Sequence, residues 1–328
     1  MNINQWVSSV KMFNKRFADN LEVRQEWDNN TKDNLELFNK NNSIWNLDAK
    51  YMGNNEKAFF LVGGSPSLKR DVHALKDLKP HCKIMCANSP MKYLLREGIK
   101  PDYVISLDSD KLDIPQHLEY DGDDITLLAS SVTHRSVLDK WKGPIYFMPY
   151  YSISNDLKPK LRSKLGKKVA GGGNTMTQAL VIVTLIFGVK IVVFVGNEYC
   201  FDESYYADKT SAKQEILETL YPETDVLGKK RWTLPALYQY AIWTEKICSD
   251  LTPPGFFIDT SFGLLGKDAP AIYNKDIKDT IRLIDNIFEN KKEGSKISTL
   301  RIDKHDESKV LRYDVSLQRE KLLRLARG

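Results

Sequence analysis

Cysteine is scarce in this chain of 328 residues, which contains four: Cys82, Cys86, Cys200 and Cys248. No two of them form a Cys-x-x-Cys pair, and Cys82 and Cys86 lie beside a predicted strand, which is the wrong setting for a zinc ribbon. The first 17 residues lack the apolar core of a secretory signal. We therefore expect free thiols in a reducing compartment and a cytoplasmic protein.

Long hydrophobic runs are absent as well. The longest apolar stretch, residues 179–195, is interrupted by Thr184, Gly188 and Lys190, so we predict no transmembrane segment. The chain is 42% hydrophobic and 28% charged, which is ordinary for a soluble globular protein. Its formal net charge of +5 is mild; it permits an anionic ligand and does not demand nucleic acid.

The most informative stretch, residues 58–77, reads AFFLVGGSPSLKRDVHALKD. Its first five residues are apolar and predict a buried strand. Glycines follow, where the backbone can adopt a positive φ and approach a ligand closely. Ser65 suits a helix N-cap and Pro66 the first helical position, so free amides and the helix dipole favour a phosphate there. A tight turn that binds nothing is the alternative. The predicted nucleotide-binding residues of this first turn are Gly63, Gly64, Ser65, Pro66 and Ser67.

From residue 58 onward, short apolar strands alternate with helices. The pattern predicts strands at 58–62, 83–87, 103–107, 125–129, 145–148, 191–195 and 256–258. This alternation is typical of an α/β fold with a doubly wound, mostly parallel, Rossmann-like sheet, which binds ligands beyond the carboxyl ends of its strands. Those ends carry Gly63, Gly64, Asn88, Asp108, Ser130, Gly196 and Glu198. Asn88 and Ser130 are accordingly predicted to bind nucleotide.

Composition divides the chain into three parts. Residues 1–57 are rich in Asn, Lys and Asp with scattered aromatics, and predict an N-terminal helical region. Residues 58–290 form the predicted nucleotide-binding domain, with a helical insertion at about 202–250. The charged tail, 291–328, is predicted to contain a helix that either mediates homo-oligomerisation or lies on the surface.

A second glycine turn follows a basic stretch. Six cations, Lys158, Lys160, Arg162, Lys164, Lys167 and Lys168, precede the predicted nucleotide-binding residues Gly171, Gly172, Gly173, Asn174 and Thr175. Asn174 or Thr175 can cap the apolar helix that follows, so this turn suits another phosphate or a ribose. No Gly-Lys-Ser/Thr follows the glycines, which excludes a Walker A loop. A flexible loop with a solvated basic face is the alternative.

Five segments together resemble a known family. In order they are GGSPSL, ANSPMKYLLREGIKPDYVISLD, THRSVLDKWKGPIYF, GGGNTMTQALVIVTLIFGVKIVVFVGNEYCF and DTSFGLLG. They are similar to the MptE-like family, which includes the motility accessory factor (Maf) flagellin glycosyltransferases and the archaeal 6-hydroxymethylpterin diphosphokinases. The resemblance covers residues 58 to 266.

Bacterial lipooligosaccharide sialyltransferases, which use CMP-sialic acid, are more distantly similar. Residues 63–68 match their Gly-Asn-Gly-Pro-Ser-Leu turn except at the second and third positions, and Asn88 matches a nucleotide-contacting Asn. Residues 172–175 match the helix start that holds the donor. The catalytic His of that group has no counterpart, because no histidine lies between His134 and His305. The resemblance therefore does not carry sialyl transfer over to this chain.

The resemblance implies a glycosyltransferase with a nucleotide-activated sugar donor of CMP or UDP type. Backbone amides of the two turns would stabilise the phosphate charge. Glu198 and Asp108 are the predicted catalytic bases, and Tyr199 begins a tyrosine-rich loop, 199–206, that would help to exclude water and bind nucleotide. Asp108 and Asp110 are predicted ligands for Mg²⁺ or Mn²⁺. The acceptor would be a hydroxyl on a protein, a glycan or a modified nucleic acid such as DNA.

Two other functions stay open. One is a Mg²⁺-dependent diphosphokinase that moves pyrophosphate from ATP to a pterin-like alcohol, for which Asp108 and Asp110 are also suited. The other is nucleotide binding without catalysis, which the missing histidine permits.

Overall fold

The computed structural model describes residues 21–51, 57–107, 109, 117–169, 171, 173–202, 206–207, 220–252 and 255–292. Asp108, Asp110 and Gly172 lie outside these ranges, as do the first 20 residues and the charged tail beyond residue 292.

Eight parallel strands form the central sheet. In chain order they are β1 (Ala58–Val62), β2 (Cys82–Ala87), β3 (Tyr103–Ser106), β4 (Thr126–Ser130), β5 (Ile145–Met148), β6 (Ile191–Val195), β9 (Phe256–Asp259) and β10 (Ile272–Asn274). Across the sheet their order is β10-β9-β6-β1-β2-β3-β4-β5. The chain runs outward from β1 to β5, then returns to the other side of β1 with β6. This arrangement confirms the predicted doubly wound, Rossmann-like fold and places its switch point between β1 and β6.

Helices cover both faces of the sheet. The α-helices in the described ranges are α1 (Leu21–Asn34), α2 (Ile44–Tyr51), α3 (Leu68–Asp71), α4 (Asn88–Arg96), α5 (Arg135–Leu138), α6 (Leu157–Leu165), α7 (Thr175–Val181), α8 (Pro235–Leu251) and α9 (Ile277–Lys292). One core contains Phe60 and Val193, and the opposite core contains Phe59 and Val192. Alternate residues of one strand therefore serve different cores, as a sheet buried on both faces requires. No helix of the described ranges is long and apolar enough to cross a membrane.

The helical insertion predicted at about 202–250 is partly wrong. Residues 208–219 lie outside the described ranges, but β7 (Tyr221–Thr224) and β8 (Lys230–Thr233) form an antiparallel hairpin before α8 begins. Asp225 makes the turn, because its Oδ1 accepts hydrogen bonds from the amides of Leu227 and Lys229. Gly228 follows with a φ of 81°, a conformation that glycine adopts without strain.

The helix α1 covers the carboxyl end of β4. Asn30 Nδ2 donates to the carbonyl of Val132 over 2.9 Å, and Asn34 Nδ2 donates to that of Thr133 over 2.8 Å. Both asparagines are buried, so these bonds fix the N-terminal helix on the main domain. The loop after β4 is thereby covered by protein.

Candidate active site

The two strands at the switch point end in glycines that touch. The Gly63 amide donates to the Val195 carbonyl over 2.9 Å, and the Ser65 amide donates to the Gly196 carbonyl over 3.1 Å. Gly196 has a φ of 64°, and a Cβ on it would lie 2.6 Å from the Gly63 oxygen. The backbones after β1 and β6 therefore meet directly at the crevice where such sheets bind ligands.

The positive φ predicted for Gly63 and Gly64 is wrong. Neither glycine adopts it; both are needed because neighbouring protein atoms come close. A Cβ on Gly63 would overlap the Gly196 carbonyl oxygen and lie 2.8 Å from Asn197 Oδ1, and one on Gly64 would lie 2.9 Å from Ser89 Oγ. Close packing, rather than conformational freedom, requires these glycines.

The helix start after β1 also differs from the prediction. The helix α3 begins at Leu68, not Pro66, so Ser65 is not its N-cap. The Ser65 amide already donates to Gly196, and the Ser67 amide donates to Glu198 Oε2 over 2.9 Å. The anion at this turn is thus a carboxylate of the protein itself, and a phosphate bound to the Ser67 amide would have to displace it.

Glu198 is fixed from several directions. It is 3% exposed, and burial raises the pKa of its carboxyl group, while the Ser67 amide, Arg231 and Arg70 act in the opposite sense. Its carbonyl accepts the Leu264 amide over 2.9 Å. A buried carboxyl group with a raised pKa, held at a strand end, is a candidate general base.

Asp259, at the end of β9, is a candidate that the sequence analysis missed. It is fully buried beside β6, and its Oδ2 accepts the Phe262 amide over 3.0 Å. Burial raises the pKa of Asp259 to about 7, hydrogen bonds from Ser261 and Phe262 lower it, and the nearby Glu198 raises it. The sequence does place Asp259 at the end of a predicted strand, in the segment DTSFG. The proximity of Asp259 to Glu198, however, follows only from the pairing of β9 with β6.

We expect Asp259→Asn to change the pH dependence of stability. The pKa of Asp259 is higher in the folded chain than its ordinary 3.8, so the folded state is favoured at low pH and loses this contribution as the pH rises from about 4 to 7. Across that window the variant should gain roughly 3–4 kcal/mol in unfolding free energy relative to wild type. Urea unfolding at pH 4.5, 6 and 8 measures the difference, and parallel curves for the two proteins would contradict it.

Arg70, Asp71 and Thr260 tie the first turn to the end of β9. Arg70 Nε donates to Asp71 Oδ1 over 2.7 Å, and Thr260 Oγ1 donates to Asp71 Oδ2 over 3.0 Å. Arg70 also donates to the Thr260 carbonyl and lies 5.3 Å from the centre of the Phe262 ring. This network sets a cation next to the Glu198 and Asp259 carboxyl groups.

The second glycine turn is more open than the first. Gly171 and Gly173 are exposed, and Gly173 has a φ of 100°. Asn174 caps α7 as predicted, since its Oδ1 accepts the Thr177 amide over 2.8 Å. The amides of Thr175 and Met176, at the first two helical positions, donate to no acceptor within the described part of the chain. Such amides at a helix start can bind an anion.

Tyr199 connects the two turns. It follows Glu198 directly and is buried with a φ of 55°, and its hydroxyl group lies 3.4 Å from Thr244 Oγ1. Burial raises the pKa of Tyr199 to about 12, and hydrogen bonds with Thr244 and Asn174 act in the opposite sense. Glu198 therefore contacts the first turn while its neighbour contacts the cap of the second, so both turns lie at the same edge of the sheet.

The loop after Tyr199 is held in place where the structure describes it. Phe201 is buried and exchanges both backbone hydrogen bonds with Trp232. Residues 203–205 lie outside the described ranges; the chain then returns over the first turn, where the Ala207 amide donates to the Gly64 carbonyl over 2.8 Å. The loop thus covers the edge of the sheet, as its position predicts.

Of the other predicted site residues, one lies near the first turn, one lies farther along the sheet, and three lie outside the described ranges. Asn88 is buried at the end of β2, next to the Ser89 that contacts Gly64. Ser130 is 1% exposed at the end of β4, where two strands separate it from β1. Asp108, Asp110 and Gly172 lie outside the described ranges, and no cluster of His, Cys, Asp and Glu suited to a metal ion occurs within those ranges. The roles of all these residues, and a Mg²⁺ or Mn²⁺ site, stay predictions.

Comparison with known proteins gives two findings. The family model described as 6-hydroxymethylpterin diphosphokinase MptE-like matches residues 29–204. Among solved structures, the Maf glycosyltransferase from Magnetospirillum magneticum AMB-1 is similar, with a TM-score of 0.53 and 14% identity. The likeness covers 72% of this chain but 37% of that one, so at this identity it shows a shared fold. No curated protein sequence matches.

Proposed function

This chain belongs to the MptE-like family, as its sequence motifs predict, and we propose that it is a glycosyltransferase. It transfers a sugar from a nucleotide-activated donor to an acceptor hydroxyl. The observation that carries the proposal is the open second turn, whose cap residue Asn174 is hydrogen-bonded to Tyr199, the residue that directly follows the buried Glu198. An anion site next to a base is what such a transfer requires. The fold shared with a Maf glycosyltransferase supports this choice.

In this proposal the donor phosphates bind at the second turn. The amides after Asn174 stabilise the negative charge that develops on the leaving nucleotide, and the cations Lys167 and Lys168 lie close in sequence. Glu198, held by the Ser67 amide, accepts the proton of the acceptor hydroxyl. Asp108 is a second proposed base or, with Asp110, a ligand of Mg²⁺ or Mn²⁺, and no step above depends on a metal.

A diphosphokinase is the second candidate, because the matching family model is described by that activity. It would use the same turn for the phosphates of ATP and would need Mg²⁺. The two candidates therefore differ in the nucleotide that the second turn binds.

A thermal-shift screen distinguishes them. We expect CMP- or UDP-sugars at about 100 times Kd to stabilise the protein by roughly 2.7 kcal/mol, which raises Tm by about 4 °C for a chain of this size. ATP with Mg²⁺ should give no such shift. The opposite pattern, a shift with ATP and Mg²⁺ alone, would favour the diphosphokinase, and no shift with any nucleotide would contradict both.

A further inference from the structure

The chain leaves β9 through a largely buried segment, residues 259–264, which we call the β9 turn. The Asp259 side chain closes it, because Asp259 Oδ2 accepts the Phe262 amide over 3.0 Å. The Thr260 amide donates to the Phe194 carbonyl over 3.0 Å, which anchors the turn to the end of β6. Asp259 and Thr260 are fully buried. The β9 turn therefore belongs to the interior of the protein, whereas most connecting segments are solvated.

The β9 turn packs directly on Glu198 and on the residue before it. Ser261 Oγ accepts the Asn197 amide over 2.8 Å, and the Leu264 amide donates to the Glu198 carbonyl over 2.9 Å. Between these two bonds Gly263 lies so close that a Cβ at position 263 would overlap the Glu198 backbone. The backbone that carries the proposed base is therefore held by the β9 turn, while the first turn holds its carboxylate.

Backbone strain occurs on both sides of this contact. Among the residues that the structure describes, two other than glycine adopt a positive φ: Tyr199 at 55°, directly after Glu198, and Phe262 at 57°, within the β9 turn. This conformation is unfavourable for a residue with a Cβ and persists where the surrounding structure enforces it, often at functional sites. A loop that served only to connect β9 to β10 would not need such strain.

Two further contacts fix the β9 turn itself. Arg70 donates to the Thr260 carbonyl, and its guanidinium group lies 5.3 Å from the centre of the Phe262 ring. The Val226 amide, in the turn of the β7–β8 hairpin, donates to the Gly263 carbonyl over 3.0 Å. The β9 turn is thus supported from two other elements and can act as a rigid backing for Glu198.

We propose that Asp259 and Ser261 are positioning residues, which hold the β9 turn against the backbone of residues 197 and 198 and so fix the direction of the Glu198 carboxylate. Neither side chain contacts the substrate. The effect on the position of Glu198 is independent of the proposed function; only its consequence for the rate of transfer rests on that function.

Ser261→Ala and Ser131→Ala form a matched pair for the test. Both serines are buried just after a strand, and the Oγ of each accepts one backbone amide, over 2.8 Å and 2.9 Å. In Ser261→Ala the Asn197 amide loses its acceptor, and the β9 turn loosens. We therefore expect the hydrogen of the Ser67 amide, which donates to the Glu198 carboxylate, to exchange at least about 5-fold faster. Ser131→Ala should leave this exchange rate unchanged.

Asp259→Ala and Asp259→Asn test the closure of the turn. Asparagine keeps an oxygen that can accept the Phe262 amide, and since burial raises the pKa of Asp259 to about 7, it also resembles the protonated side chain. Asp259→Ala should speed the exchange of the Ser67 amide as Ser261→Ala does, and Asp259→Asn should restore the wild-type rate. The serine pair decides the proposal even if Asp259→Ala does not fold.

Two-dimensional NMR of the full chain resolves these amides, and the amides of β4 are the internal reference, because a global loss of stability would speed their exchange too. With a nucleotide-sugar that gives a thermal shift, Ser261→Ala should lower kcat roughly 10-fold at unchanged donor KM, since the second turn is not altered.

Equal exchange of the Ser67 amide in Ser261→Ala and Ser131→Ala would overturn the proposal. Faster exchange in Asp259→Asn, or a wild-type kcat in Ser261→Ala despite faster exchange, would also overturn it. The expected exchange rates without turnover of any nucleotide-sugar by the wild type would contradict the proposed function alone.

Discussion

Gly63→Ala should destabilise the protein by roughly 3 kcal/mol or more, which lowers Tm by at least about 4 °C in a chain of this size. The added Cβ would overlap the Gly196 carbonyl oxygen, which belongs to the backbone of the adjacent strand end. The second obstacle, Asn197 Oδ1, cannot move freely either, because Asn197 Nδ2 donates to the carbonyls of Leu61 and Val195. The overlap is then relieved by moving β1 and β6 apart at the switch point, which breaks the pairing between these two central strands.

Gly98→Ala is the matched control for this prediction. Gly98 has a φ of 77°, but a Cβ on it would meet no atom within 4 Å. The control therefore measures backbone strain without overlap, at a cost of about 1 kcal/mol. Urea unfolding of both variants gives the comparison. A loss in Gly63→Ala no greater than in the control would show that β1 and β6 can separate at little cost.

Glu198→Gln should lower kcat at least about 100-fold with little change in KM for the donor, because it removes the proposed base and leaves the second turn intact. A glutamine oxygen can still accept the Ser67 amide, so the fold should be preserved. Release of free nucleotide from the donor that gives the largest thermal shift is the measurement. A rise in KM with kcat unchanged would assign Glu198 to binding instead.

Glu245→Gln offers a close control. Glu245 is half-buried on α8, its Oε1 accepts the Gly266 amide over 2.8 Å, and burial raises the pKa of its carboxyl group as it does for Glu198. It therefore shares the chemistry of Glu198 but lies on a helix rather than at the switch point. We expect wild-type turnover from this variant. Equal losses at both positions would show that removing a buried charge, not a base, reduces the rate.

The sequence predicts strands well where apolar runs are bounded by glycine or polar residues. The bounds of β1, β5 and β6 are those predicted, because five or four apolar residues end sharply in each case. The strand β10 was missed, since its three residues, Ile272–Asn274, carry too little pattern. The sequence pattern predicts helix where the hairpin β7–β8 lies, because the turn at Asp225 and Gly228 is too short a signal to interrupt it.

The candidate site is less predictable, because its contacts join distant parts of the chain. The sequence identifies Glu198 as a candidate because it follows a predicted strand. Its hydrogen bond with the Ser67 amide joins residues 131 positions apart, so no local sequence pattern predicts this bond. Asp259 was missed for the same reason: its burial follows from the pairing of β9 with β6. The sequence also identifies the turn glycines, but the reason that position 63 requires glycine is the nearby Gly196 backbone, which the sequence does not show.

The hydrogen bond from Asn197 Nδ2 to the Leu61 carbonyl joins residues 136 positions apart. Closing a chain segment of that length costs about 4 kcal/mol of entropy before any contact compensates for it. During synthesis β1 can pair with β2 long before β6 has left the ribosome, so the crevice is expected to form at a late step of folding. A truncated chain that ends before residue 191 would expose one whole edge of β1 to aggregation.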